Sequence, residues 1–316
     1  MTDAVSIPQV CLIMQPIHAG ATTILQKASL QVIEGIDAGA LRSAVVAVIT
    51  RDACVDSRFM DQHPRLRVIV KHGTGLDAIA TQEAAARGIS VIATPGLNAR
   101  SVAEHALLLM LALARNLPAM MDAVLQGDLS ARSRLTQREI TGARLGLMGF
   151  GQVGQRLAVL AGRGFGMSIR ALSPSVPDSV FRDHGVERCQ TVTELFAECD
   201  IISLQVPARP GSSGLIGAAQ LAQLPYGAIL INVGRGGIID EDAAADALQS
   251  GYLGGLGLDV MAREPIVPGH RLLGMANVII TPHVGGSSSN AMISTGARAA
   301  AAVVNALRSD VSLDNL

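Results

Sequence analysis

Tryptophan is absent from the 316-residue sequence, and aromatic residues make up only 2% of it. Platforms on which nucleic-acid bases stack are therefore not expected. An excess of one charge is missing too: 25 Lys and Arg stand against 26 Asp and Glu, a formal net charge of −1. No basic field points toward nucleic acid or an anionic membrane. Cysteine is sparse, and Cys11, Cys54, Cys189 and Cys199 show neither a C-x-x-C pair nor a metal-like spacing. Neither a disulfide framework nor a metal centre is expected, and a reducing, cytoplasmic setting is the simpler reading. The longest uncharged apolar run, Ala106–Ala114, falls far short of the ~20 residues that span a bilayer. No basic stretch followed by an apolar core opens the chain, so no signal peptide is expected.

Apolar residues make up 49% of the chain and charged residues 16%, which excludes intrinsic disorder. The 33 glycines follow no three-residue period, so they point to turns and close backbone approaches, not to collagen. At roughly 150 residues per domain, the length suits two domains or one large one.

Short β-type runs alternate with Ala-rich helical stretches. Val10–Met14, Ala44–Ile49, Val68–Val70 and Ser90–Ala93 read as a first series of strands. A long helix is expected over Ser101–Gln126, opened by a Ser101/Glu104 capping box and apolar on every face from Ala106 to Ala114. Pro118 is expected to kink it or end its first part. The polar stretch Gly127–Thr141 reads as a loop or arm. A second series follows with Arg144–Met148, Ser168–Leu172, Ile201–Leu204, Ala228–Val233, Gly255–Leu258 and Val278–Ile280. Several of these runs are continuously apolar, as parallel strands covered on both faces must be. Between them, Asp240 opens an Ala-rich helix that stops before Gly251. Repeated β-α-β units predict an α/β chain with doubly wound parallel sheets.

The apolar strand Leu145–Leu147 leads into Gly149-Phe150-Gly151-Gln152-Val153-Gly154, a G-x-G-x-x-G before a helix. The first two glycines permit the turn and the approach of a pyrophosphate, and the third permits close helix–strand packing. A dinucleotide site follows. The next strand ends at Ser173, where an acid would otherwise hold the adenine ribose. With no carboxylate to repel a 2′-phosphate, the expected cofactor is NADP or NAD, with NADP favoured. Arg209 lies on a loop that has the reach to approach that region.

Ligands of open parallel sheets bind at the carboxyl ends of strands. Three later strands place polar residues there: Arg235 in a Gly-rich loop, Asp259 followed by Glu264, and His283 before two glycines. An Arg, a Glu and a His beside a dinucleotide suggest hydride transfer to a carbonyl acid. Arg235 would hold the carbonyl and carboxylate oxygens. His283 would give the proton as hydride arrives, and Glu264 would orient the imidazole and favour its charged form.

These residues carry a family resemblance. The chain resembles the D-isomer-specific 2-hydroxyacid dehydrogenases over nearly its whole length. The segments that carry the resemblance are VKHGTGLDAIA at 70–80, TPGLNARSVAEHALLLMLALAR at 94–115 and LGLMGFGQVGQRLA at 145–158. INVGRGGIIDEDAAADAL at 231–248, GLDVMAREP at 257–265 and TPHVGG at 281–286 complete the set. The resemblance implies a Rossmann-type coenzyme domain over 100–288 and a flavodoxin-like substrate domain formed by 1–99 and 289–316. It further implies that Arg235, Glu264 and His283 are catalytic and that Asp259 lies near the nicotinamide carboxamide. Amides of the Gly73-Thr74-Gly75 loop would hold the substrate carboxylate, with Lys71 beside it for a second acidic group. A homodimer joined through the coenzyme domain, with the helix near 101–126 involved, is likewise implied.

Some positions depart from the family pattern. Ser173 replaces the usual acid, Gln205 stands before Val206-Pro207 where a His is common, and Lys71-His72 replace a frequent Arg-Ala pair. Pro207 stays among the expected cofactor contacts. The sequence stops at Leu316, so control by the C-terminal module of some phosphoglycerate dehydrogenases is not expected. The leading expectation is a 2-keto acid reductase acting on a small molecule, with no nucleic-acid or membrane partner. A phosphite-type dehydrogenase and a non-enzymatic, dinucleotide-sensing corepressor-like protein are the alternatives; Glu264 argues against formate oxidation, where a Gln partners the His.

Overall fold

The computed structural model describes residues 8–209 and 211–311. The expected domain ends 1–7 and 312–316 lie outside them. Two compact units emerge: residues up to Asn98 with those from Gly286 onward, and Ala99–Gly285.

In the first unit the strands are β1 (Val10–Ile13), β2 (Gln31–Glu34), β3 (Val45–Thr50), β4 (Val68–Lys71) and β5 (Ser90–Ala93). They pair in parallel in the order β2-β1-β3-β4-β5, which is the flavodoxin-like winding. Successive side chains of β1 go to opposite faces, as the two-residue period of a strand requires. Cys11 and Ile13 pack with Leu25 of helix α1 (Ala19–Lys27) and with Ala299, Ala300 and Val303. Val10 and Leu12 pack on the other face with Met60, Ile69 and Ala84.

The second unit contains β6 (Arg144–Met148), β7 (Ser168–Leu172), β8 (Glu187–Arg188), β9 (Ile201–Leu204), β10 (Ala228–Asn232), β11 (Leu253–Leu258) and β12 (Val278–Ile280). All its strand pairs are parallel, and the order is β12-β11-β10-β9-β6-β7-β8. This is the Rossmann order with one further strand, and the order reverses between β6 and β9. The α/β class with two parallel sheets is thus as expected. Strands β2 and β8 were not: β2 is half exposed and polar at both ends, and β8 is two residues long, so neither carries an apolar run.

The long helix differs from its expected form. Helix α2 spans Ala99–Ala114, and α3 spans Leu117–Leu125, bent from it by 60°. Asn116, in the left-handed region at φ 50°, makes the break, and Pro118 sits in the first turn of α3. The Ser101/Glu104 capping box does not form, because the helix has already begun at Ala99. The Ser101 hydroxyl instead donates to the Gly285 carbonyl at 2.5 Å, and Glu104 pairs with Arg100. Nor is the apolar run buried on every face: Leu108 is 55% exposed. The stretch expected as a loop or arm contains a short helix, Ala131–Arg134. The remaining elements used below are α4 (Gln152–Phe165), α5 (Glu241–Gln249) and α6 (Ser289–Val311).

Candidate active site

The glycine turn after β6 lies at the point where the strand order reverses. Gly149 has φ +99°, and a Cβ there would come within 2.9 Å of the Gln205 carbonyl oxygen at the end of β9. A Cβ on Gly154 would lie 2.5 Å from the Gly149 carbonyl oxygen. Both positions therefore exclude larger residues for reasons of packing. Gly151 differs: a Cβ there would meet open space. It is the N-cap of α4 and offers no side chain to the helix N-terminus, which leaves partial positive charge facing outward. Beside it, Gln205 accepts the Ser203 hydroxyl through Oε1 at 3.0 Å, while its buried Nε2 has no partner. An open helix start with a donor amide next to it fits the pyrophosphate of a dinucleotide.

Ser173 is buried at the end of β7. Among the described residues, Arg188 is a cation whose side chain reaches this segment, and sequence reading missed it. It sits on β8 in register with Ala171, pairs with Asp178 and donates to the Pro174 carbonyl at 3.4 Å. Only the pairing of a two-residue edge strand brings it there. Pro207 and Arg209 are exposed on the segment after β9, and the Arg209 amide is closed on Ser212 Oγ.

Three further carboxyl ends of the same sheet carry Arg235, Glu264 and His283. After β10, the Asn232 side chain folds the loop, accepting from the Gly234 N–H (3.0 Å) and donating to the Arg235 carbonyl (2.8 Å). One guanidinium N–H of Arg235 donates to the Gly234 carbonyl at 2.8 Å. After β11, Glu264 Oε1 accepts the Met261 N–H and Oε2 lies 3.0 Å from His283 Nδ1. His283 has φ 55°, a backbone state uncommon for a side-chain-bearing residue and enriched at functional sites. Its N–H donates to the Asp259 carbonyl at 2.9 Å.

Asp259 is only 3% exposed, and its two oxygens organise the loop that carries His283. Oδ1 accepts from Thr281 Oγ1 (2.7 Å) and the Val284 N–H (2.9 Å), and Oδ2 accepts from the Gly285 N–H (2.8 Å). His105 of α2 reaches Thr281 Oγ1 at 2.9 Å and Asp259 at 3.4 Å. Burial acts to raise the Asp259 pKa, but the bonds from His105, Thr281, Gly285 and Val284 outweigh it and hold the carboxyl below its ordinary value. His105 and Ser101, both on α2, thus grip the loop that carries His283. Their reach across roughly 180 residues of sequence left no local signal.

In the first unit, the loop after β4 is pinned by Thr94. The Gly73 N–H donates to Thr94 Oγ1 at 2.8 Å, and that hydroxyl lies 3.0 Å from the Lys71 carbonyl. The Gly73 amide is therefore already committed, contrary to expectation, while Thr74 and Gly75 follow in the same loop. Lys71 is buried and pairs with Asp52 at 3.2 Å. His72 is also buried, with no partner at Nε2; burial, then the charges of Arg51 and Lys71, push its pKa down to about 4. It is neutral at physiological pH.

A family model described as "D-isomer specific 2-hydroxyacid dehydrogenase, NAD binding domain" matches residues 107–285. The chain belongs to this family. It is 37% identical over 279 residues to a D-3-phosphoglycerate dehydrogenase of Mycobacterium tuberculosis, covering 87% of this chain and 52% of that one. It is 38% identical over 253 residues to a hydroxypyruvate reductase of Thermotoga maritima, covering 79% and 81%. Among solved structures, the Aquifex aeolicus D-lactate dehydrogenase complexed with NAD and lactic acid superposes with a TM-score of 0.84 at 25% identity, covering 96% of this chain and 97% of that one. The chain spans about half the length of the phosphoglycerate dehydrogenases it matches. The matched region is a NAD-binding domain, and it contains the glycine turn, Arg235, Glu264 and His283.

Proposed function

We propose that the protein is a nicotinamide-dinucleotide-dependent D-2-hydroxyacid dehydrogenase that works as a 2-keto acid reductase. The observation that carries this reading is the pair of His283 Nδ1 and Glu264 Oε2 at 3.0 Å, at the carboxyl edge of the sheet that also presents Arg235. With Nδ1 on the carboxylate, Nε2 is the nitrogen that exchanges a proton with the substrate oxygen. Arg235 holds the carbonyl and carboxylate oxygens by charge-assisted hydrogen bonds. The amides of Thr74 and Gly75 would hold the substrate carboxylate, with the Lys71 charge beside them for a second acidic group.

A bound nicotinamide dinucleotide supplies the hydride. Gly149, Gly151, Gln152, Val153 and Gly154 would hold its pyrophosphate, with the Gln205 amide as a further donor. Ser173, Pro207 and Asp259 complete the expected contacts, Asp259 chiefly by shaping the loop after β12. NADP preference is the finer reading. The lack of a carboxylate at Ser173 and the presence of Arg188 beside Pro174 support it. Assembly as a homodimer through the second unit is part of the same proposal, supported by apolar side chains left in water on one stretch: Leu108, Met121, Val124, Leu125 and Leu129 are 55–90% exposed.

The test is absorbance-monitored oxidation of NADPH and NADH, in parallel, across a panel of 2-keto acids, with chiral analysis of the product. Turnover to a D-hydroxy acid is expected. Tight dinucleotide binding with no turnover on any acid would overturn the proposal in favour of phosphite chemistry or a dinucleotide sensor.

A further inference from the structure

The backbone at Met261 and Ala262 is held in three directions. The Met261 N–H donates to Glu264 Oε1 at 3.0 Å. The Met261 carbonyl lies against Gly236, so closely that a Cβ on Gly236 would come within 1.7 Å of its oxygen. The Ala262 N–H donates to Glu241 Oε1 at 2.7 Å. Glu241 opens α5, where the helix N-terminus favours a negative charge. Its second oxygen lies 3.0 Å from His270 Nε2. His270 Nδ1 faces the Leu272 N–H at 3.3 Å, so the ring proton resides on Nε2 and donates to Glu241. Both oxygens of one largely buried carboxylate are therefore used, one on the catalytic loop and one on the segment that follows it.

We infer that Glu241 is a positioning residue for the Glu264–His283 pair, with His270 orienting its carboxylate. This rests on the reading of that pair as the proton-handling element. Glu264 meets His283 only if the turn from Met261 to Glu264 keeps its shape, and Gly236 and Glu241 both hold that turn from outside it. Gly236 supplies contact without direction. Glu241 supplies the directional bond, so it sets where the Glu264 carboxylate points. Arg263, on the turn itself, is exposed. Asp240 caps α5 through the Asp242 and Ala243 amides, and Asp242 pairs with Arg271, which also binds Asp246. Glu241 also lines a cavity of about 340 Å³ with Ser213, Gly214, Gly237, Asp240 and His270, so truncating it widens an existing space and opens no void in the core.

The experiment compares wild type with Glu241→Ala and Glu241→Gln by two readouts. One is the NMR titration of the His283 ring, assigned by its loss in His283→Gln; the other is the pH profile of kcat for keto acid reduction. A carboxylate held on Nδ1 favours the charged imidazole. In Glu241→Ala the His283 titration should move to lower pH, and the basic limb of kcat should follow it. The kcat value should fall by about tenfold or more, with dinucleotide affinity by calorimetry unchanged. Glu241→Gln, which keeps an acceptor for the Ala262 N–H, should restore most of both. A folded Glu241→Ala protein whose His283 titrates as in wild type overturns the inference, whatever happens to kcat. If Glu241→Ala does not fold, Glu241→Asp keeps the charge at the helix start but draws it back from Ala262, and must shift the titration in the same direction. A shifted titration in a protein that reduces no keto acid would uphold the positioning and reject the proposed reaction.

Discussion

Each of the two sheets has a point where its strand order reverses, and the two points are finished differently. Between β6 and β9 the chain places glycine: Gly149 presses on the Gln205 carbonyl, and Gly151 leaves the start of α4 open. Between β1 and β3 the corresponding space is closed from within. Gln15 Oε1 accepts the Arg51 N–H at 2.8 Å and lies 3.4 Å from Thr50 Oγ1. The buried polar groups nearby differ in the same sense. Asp259 in the second unit is surrounded by donors, whereas His72 in the first has an orphaned Nε2. A shared winding rule thus sets a reversal point in both sheets, but side chains decide which of the two is left open and which is closed.

The sharpest way to break this contrast is at the open edge. Replacing His283 with Ala should lower turnover by roughly 10²- to 10⁴-fold while dinucleotide affinity, measured by calorimetry, stays near wild type; near-normal kcat would remove His283 from the chemistry.

The next largest effect concerns the first unit and pH. His72 has a folded pKa of about 4 against an unfolded value of 6.5. Between these the unfolded chain binds a proton that the folded unit does not. Its stabilising contribution is therefore complete above pH 6.5 and is lost as pH falls to about 4, by roughly 3 kcal/mol in all. The Asp259 pKa is lowered from 3.8, so the second unit keeps that contribution until the pH falls below about 4. Hydrogen exchange between pH 7 and 4 should show the first unit weakening before the second, and His72→Gln should remove most of that slope. Equal weakening of both units would dissolve the contrast.

A smaller loss is expected at Arg235→Lys. An ammonium cannot reproduce a two-pronged guanidinium contact, so kcat/KM should fall by about 10- to 100-fold; an unchanged value would take Arg235 out of the site. The smallest effect tests the sheets themselves. Gly257 in β11 lies under α2, where a Cβ would come within 2.8 Å of Ile231 Cδ1 and 3.2 Å of Leu109 Cβ. Gly257→Ala should cost about 1–3 kcal/mol by overpacking. Chemical denaturation that reveals no loss would mean that α2 does not need a glycine strand to lie close.

Much of this was legible because its signals are local. Continuous apolar runs such as Ala228–Ile231 mark covered parallel strands, and a glycine triplet after β6 marks a turn that only small residues fit. Arg235, Asp259 and His283 each follow the end of a strand by one to three residues, which is enough to place them at carboxyl ends. The misses share one cause. Ser101 resembles a helix cap in sequence, yet its hydroxyl serves Gly285, and Thr94 takes the Gly73 amide.

By itself, then, the sequence determined the α/β class, the strand–glycine–helix turn and the Arg, Glu and His at strand ends, since each depends on residues within a few positions of one another. Only the tertiary structure decided that Arg188 stands beside the Ser173 segment, that His105 and Asp259 grip the His283 loop, and that Glu241 holds the turn behind Glu264. Those contacts join residues 14 to 176 positions apart, and they exist because strand order sets which carboxyl ends become neighbours.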